Sequence, residues 1–401
     1  MGIHINVILV FFFQLVLNVL ATNNPDAYLT TPELITKYGY PVETHTVTTS
    51  DGYILTMHRI PYSAKSPAAA NKPVVFLQHG LMCSSADWIV LGPEKSLAYL
   101  MADAGYDVWM GNARGNTYSK AHTTLSTTDT KFWDFSWHEM GIYDLPAEID
   151  YVLKITNQQQ VYYVGHSMGT TMFYVLMSMK PEYNAKVRHM TSLAPIAYMK
   201  NVQSPLVKFA SYFPGGQIGI AALQALGLGE AVPNNLLTQL LSDNLCSNTS
   251  ITQPICYNVL FLLVGYDEQQ LDKDVLPVIL AHTPAGTSMK SLAHYAQEIT
   301  AIGDAFRQWD YYLLNPIKYK QISLLPPSYN LAAITVPITL YYGDNDIFGD
   351  PTDVHKLNAA LPRSLGEYEV PLASFNHMDF LWGKDVKTLV YDQVMKVIKE
   401  N

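Results

Sequence analysis

Three cysteines in 401 residues leave no room for a disulfide framework, so a hydrophobic core must hold this chain. Charge is sparse as well. Only 15% of residues are charged, with 25 Lys and Arg against 34 Asp and Glu, a formal net charge of −9. No cluster of basic residues stands out, and this excludes nucleic acid as a partner, because phosphate neutralisation needs a basic face. Past residue 21 no apolar run approaches the ~20 residues of a membrane span; the densest, VLFLLV at 259–264, is far shorter. Internal repeats and low-complexity tracts are lacking too. What remains is a chain with 49% apolar residues, long enough for one large domain with an insertion.

The first residues differ from the rest. VILVFFFQLVLNVL (7–20) is a short apolar block broken by Gln14 and Asn18, followed by Ala21 and the polar TNNPD. It reads as a signal peptide over residues 1–21 with cleavage after Ala21, an uncleaved anchor being the alternative. The expectation is therefore a mature protein on the secretory route with no transmembrane anchor. Cys246 and Cys256 enclose the loop LCSNTSITQPIC, which also holds the acceptor triplet Asn248-Thr249-Ser250. A disulfide and a sugar on one exposed loop suit an oxidising compartment; two unrelated thiols and an unused acceptor are the alternative. Cys83 is left over, a free and half-buried thiol.

Between residues 46 and 200 strand-like and helix-like segments alternate. DGYILTMHRI, KPVVFLQHG, YDVWM and QQVYYVGH read as strands, and HEMGIYDLPAEIDYVLKIT carries apolar residues at helical spacing. Towards the other end VPITLYYGDND and GEYEVPLAS are strand-like, and KTLVYDQVMKVIKE is a closing amphipathic helix. Such alternation predicts an α/β fold, a mostly parallel sheet with helices on both faces. Residues 201–325 lack this rhythm. Their Leu, Gly, Pro and Ala, as in FPGGQIGIAALQALGLGEAVPNNLLTQLL, predict an inserted helical cap between core segments 22–200 and 326–401. Such a cap would lie over the carboxyl edge of the sheet, where open α/β sheets bind ligands.

Gly165-His166-Ser167-Met168-Gly169 matches the G-x-S-x-G elbow, with an apolar strand before it and a helical pattern after it. A strand that turns abruptly into a helix strains the serine, and glycines two positions away let strand and helix approach. A serine hydroxyl needs a base to take its proton, and in this kind of sheet the order is Ser, then acid, then His. His377, in the loop FNHMDF before the last helix, is the expected base. His355 lies in a helical stretch and reads as surface, whereas His282 and His294 belong to the cap. Asp346, a few residues past strand VPITL, is the expected acid, with Asp344 as runner-up. A calcium loop starting at Asp344 fails, because Phe348 and His355 stand where oxygen ligands belong. His79-Gly80-Leu81 ends another strand, so the backbone N–H groups of Leu81 and Met168 are the expected oxyanion donors. His79 itself reads as structural.

With these residues in place, the sequence resembles the acid lipase family of the α/β-hydrolase superfamily over nearly the whole mature chain. The resemblance rests on PELITKYGYPVETHTVTTSDGYILTMHRIP, HGL, DVWMGNARGNTYSKAH, GHSMG, AHTPAGTSMKSLAHYAQ, GDNDIFGDP and NHMDF. It implies an α/β-hydrolase fold with Ser167 as nucleophile, Asp346 as acid and His377 as base. Leu81 and Met168 N–H would line the oxyanion hole, and Cys246–Cys256 would be the cap disulfide. Two departures bear on substrate preference. Met168 stands where vertebrate members commonly have Gln, and the third cap cysteine is missing while Cys83 is additional. The expected activity is hydrolysis of carboxylic esters of apolar lipids, acylglycerols or sterol esters, at a lipid–water interface, without cofactor or metal. A non-catalytic lipid-binding or storage protein and a serine peptidase are the rival readings. The expected destination is secretion, with the lysosome as alternative.

Overall fold

The protein is described here by a computed structural model covering residues 24–204, 229–231 and 267–401. The expected signal peptide, Cys246, Cys256 and Asn248 lie outside the described residues, as does much of the expected cap.

Eleven strands are described, numbered in chain order. They are β1 (Glu43–Thr48), β2 (Tyr53–Ile60), β3 (Val74–Gln78), β4 (Asp107–Met110), β5 (Ala121–His122), β6 (Val161–His166), β7 (Val187–Leu193), β8 (Glu230–Ala231), β9 (Thr287–Ser288), β10 (Ile338–Tyr342) and β11 (Ser364–Glu369). Nine form one sheet in the order β1-β2-β4-β3-β6-β7-β10-β11, with β5 paired to β2. From β4 to β11 all neighbours run parallel, and β1 and β2 add an antiparallel edge. β8 and β9 form a separate antiparallel ribbon.

β3, β6 and β10 are largely apolar because helices cover both faces of the sheet. In β3, Val74 and Phe76 pack into one core while Val75 and Leu77 pack into the other. β6 divides in the same way, Tyr163 to the first core and Val164 to the second. The first core also takes Trp137, Ile149 and Val152, along with Met172 and Phe173 of the buried helix Met168–Met179. The second takes Trp88, Tyr99, Val394 and Ile398, the last two from the closing helix Asp392–Glu400. Burying a Val, Leu or Phe side chain contributes about 1.5–3 kcal/mol, so these two layers are the main source of stability.

Besides the two-residue strands β5, β8 and β9, two strands went unmarked in the sequence. β1 (ETHTVT) is an exposed edge strand with a polar pattern. β7 (VRHMTSL) is almost wholly buried despite its polar letters. Its His189 ring nitrogen meets the Thr339 hydroxyl at 3.0 Å, and its Ser192 hydroxyl meets the Tyr174 hydroxyl at 2.7 Å, so the sheet interior satisfies them. Within residues 201–325 the described elements include helices Leu276–His282 and Met289–Ile299.

Candidate active site

Parallel strands of one sheet deliver the expected residues to one edge. β3 ends at Gln78, three residues before Leu81; β6 ends at His166, next to Ser167; β10 ends at Tyr342, four residues before Asp346. His377 follows β11 in the loop leading to the short helix Asp379–Trp382.

Ser167 sits at φ 52°, ψ −117°, a conformation that L residues avoid. Its N–H donates to the Leu193 carbonyl at the end of β7, 3.0 Å away, which helps hold the turn. The flanking glycines answer to close approach. A Cβ on Gly165 would lie 2.9 Å from the Gly169 carbonyl, and one on Gly169 would lie 2.3 Å from the Gln78 carbonyl oxygen. Strand and helix thus meet at contact distance, and Met168 opens the helix at the end where backbone N–H groups lack intrahelical partners. A Cβ on Gly80 would come within 3.2 Å of the Ser167 Cβ, so the loop leading to Leu81 runs directly against the serine.

Ser167, His377 and Asp346 form one hydrogen-bonded line. The Ser167 hydroxyl meets His377 Nε2 at 2.7 Å, and His377 Nδ1 meets Asp346 Oδ2 at 2.8 Å. The other Asp346 oxygen accepts the N–H groups of Phe348 (2.9 Å) and Gly349 (2.7 Å). Asp346 and His377 are both buried, in keeping with a line shielded from water. The imidazole is further flanked by the Phe348 ring, with centroids 5.3 Å apart.

The competing residues stand elsewhere. Asp344 is exposed, and Asp350 caps helix Pro351–Ala360. His355 is exposed on that helix and bonds Glu367 at 2.8 Å. His294 is buried and stacked on Trp137 at 3.6 Å between centroids. His79 uses both nitrogens on the backbone. Its Nδ1 donates to the Gly80 carbonyl (2.8 Å), and its Nε2 accepts from the Ala113 N–H (3.0 Å). Burial lowers its pKa to about 4, so it stays neutral and structural. One expectation needs correction: Cys83 is fully rather than half buried, and burial pushes its thiol well above the usual range.

His166 escaped the sequence reading, although its place inside the elbow was a signal. Its Nε2 donates to the His377 carbonyl at 2.9 Å, tying the His377 loop to the strand that leads into the serine. Burial foremost, then the neighbouring His377, lowers its pKa to about 3, which keeps it a neutral tether. Among the described residues no group of three or more His, Cys, Asp or Glu is arranged to hold a metal.

Comparison with known proteins agrees with this geometry. Residues 31–92 match the partial alpha/beta-hydrolase lipase region, and residues 73–384 match the alpha/beta hydrolase fold. The chain is 49% identical over 365 residues to Lipase 3 of Drosophila melanogaster, covering 91% of each chain. It is 38% identical over 381 residues to human gastric triacylglycerol lipase, covering 94% of this chain and 93% of that one. Among solved structures, one from Sulfolobus solfataricus superposes with a TM-score of 0.59 at 14% identity, covering 86% of this chain and 90% of that one, a likeness of fold alone. From these matches, which run through the whole hydrolase core, the chain belongs to the acid lipase family of the α/β-hydrolase superfamily, carboxylic ester hydrolases.

Proposed function

We propose that the protein is a secretory-pathway serine lipase that hydrolyses the carboxylic ester bonds of apolar lipids, acylglycerols or sterol esters, through a covalent acyl-enzyme. The observation that carries this reading is the unbroken Ser167–His377–Asp346 line, with spacings of 2.7 and 2.8 Å. The gastric relatives are named for triacylglycerol, which supports the lipid class.

In this mechanism His377 Nε2 takes the Ser167 proton as Oγ attacks the ester carbonyl. Asp346 holds the imidazole with Nδ1 protonated and stabilises the imidazolium that forms. The carbonyl oxygen gains negative charge and is received by the N–H groups of Leu81 and Met168. Two such donors matter because removing one oxyanion contact typically costs about 10²–10³ in rate. His377 then gives its proton to the departing alcohol. A water, deprotonated by the same imidazole, attacks the acyl-enzyme and releases the fatty acid. No step in this sequence calls on a metal or organic cofactor. In this reading the cap expected over residues 201–325 would shield the serine and open at a lipid surface.

The test pairs Ser167→Ala with an ester series run from short to long acyl chains and with peptide amides. Loss of turnover on the order of 10⁵–10⁶-fold in Ser167→Ala is expected, with fluorophosphonate labelling of the wild type only. Undiminished ester turnover in that variant would sink the mechanism. An unlabelled wild type would favour a lipid-binding protein, and preferred cleavage of amides a peptidase.

A further inference from the structure

The oxyanion loop, the cap and the base loop converge on a single buried carboxylate. Asp87 lies in the short helix Ser85–Trp88, just past Leu81. It is 2% exposed. Its Oδ2 accepts the Ser84 N–H at 2.9 Å, closing a capping box on the loop that begins at Gly80. Its Oδ1 accepts two further bonds at 3.1 Å, one from the Thr283 hydroxyl and one from the Trp382 indole N–H. Thr283 follows helix Leu276–His282, within residues 201–325. Trp382 ends the helix Asp379–Trp382, which starts two residues after His377.

Each of these donors belongs to an element carrying a part of the proposed site. The Ser84 N–H fixes the loop bearing Leu81, and Trp382 fixes the helix that follows His377. Thr283 joins both to the cap. The same loop is pinned on its far side, where the Ala285 N–H donates to the Met82 carbonyl at 2.6 Å. The Ser85 N–H donates to Asn112 Oδ1 at 2.9 Å. These flanking bonds hold the loop to its neighbours, but among the described residues Asp87 alone in this loop hydrogen-bonds the helix behind the base.

We infer that Asp87 is a positioning residue for ester hydrolysis, setting the distance between the Leu81 oxyanion donor and the His377 base by bonding the Ser84 backbone of one support and the Trp382 side chain of the other. This rests on the roles given to Leu81 and His377 in the proposed function. Bonds to a buried carboxylate are stronger than bonds between neutral groups, and no ion pair competes for it among the described residues. Burial comes first among the causes that hold its carboxyl up to about 6, so an uncharged group at this place is tolerable. A neutral acceptor of the same shape should therefore keep much of the function, whereas an apolar group of the same size should not.

The experiment compares Asp87→Asn and Asp87→Leu on a soluble short-chain ester, well below their melting temperatures. Asp87→Leu keeps the volume but loses every acceptor contact, that to the Cys83 thiol included. It should lower kcat about tenfold or more while leaving KM within twofold, since small misplacements of reacting groups cost about this much or more. Asp87→Asn keeps Oδ1 for Thr283 and Trp382 and should retain at least about a third of kcat. A structural role alone would lower stability in both variants and leave kcat at the wild-type value, and that result overturns the inference. Should Asp87→Leu fail to fold, Trp382→Phe and Thr283→Val each remove one donor and should each lower kcat about two- to fivefold; wild-type kcat in both is equally fatal. Fluorophosphonate labelling keeps the two readings apart. An unlabelled wild type refutes Ser167 as the nucleophile, while wild-type labelling rates in a folded Asp87→Leu refute only the positioning role.

Discussion

At Ser167 the ordinary ranking of alanine over glycine should be inverted. In a helix or strand, glycine costs about 0.5–1 kcal/mol relative to alanine, because its unfolded chain has more freedom to lose. Ser167 has φ 52° and ψ −117°, a conformation whose strain for a residue with a Cβ is about 1–3 kcal/mol. Both Ser167→Ala and Ser167→Gly lose the hydroxyl and its bond to His377, so that contribution cancels between them. What remains is the strain released by removing Cβ, less the entropy lost by glycine, a difference of about 0–2.5 kcal/mol favouring Ser167→Gly. A control sits at Ala359, exposed in the helix Pro351–Ala360, where Ala359→Gly should cost about 1 kcal/mol in the usual direction. Urea titration is the suitable assay. At about 2 cal/mol/K of unfolding entropy per residue, a chain of 401 residues shifts its melting temperature by only about 1 °C per kcal/mol. A Ser167→Ala variant more stable than Ser167→Gly would refute the strained elbow. Both should be inactive on esters, which separates the stability of the turn from its chemistry.

The remaining predictions concern acid and the secretory route. His189, buried in β7, has its pKa lowered by burial to about 4. A lowered histidine pKa gives stability that is complete above the unfolded value near 6.5 and lost as pH falls towards 4. His189→Gln should therefore flatten the fall in urea midpoint between pH 6.5 and 4.5, a change of about 2 kcal/mol; an unchanged slope contradicts the buried neutral ring. Asp144, raised to about 6 chiefly by burial, works the other way, its contribution being present below pH 4 and lost as pH rises through 6, so the difference between variant and wild type is the quantity to follow. If the protein is secreted, peptide mapping without reductant should recover Cys246 linked to Cys256, and Asn248→Gln should remove a glycosidase-sensitive shift in mobility.

How far the sequence spoke depended on whether a signal was local. The apolar runs of β3, β6 and β10 announced a buried parallel sheet, because strands covered on both faces have no need of polar letters. Ser167, Asp346 and His377 were legible because each stands beside a strand end or loop with its own local pattern. β7 was hidden because its His189 and Ser192 find partners on β10 and on the helix Met168–Met179, and no window of sequence contains those contacts. The tether from His166 to the His377 carbonyl spans 211 positions and left no periodic trace. Cys83 misled for the same reason, since its burial depends on elements that close over it from distant parts of the chain.

The bond between His166 and the His377 carbonyl has a consequence for how activity fades on heating. Ser167 and the proposed base His377 reside on segments far apart in the chain, and loops generally loosen before cores. Here the residue adjoining the serine grips the backbone of His377 itself. Drift of one partner carries the other along, and their separation of 2.7 Å is preserved while the pair moves together. Turnover should then persist until the core gives way, with inactivation and global unfolding falling at the same temperature.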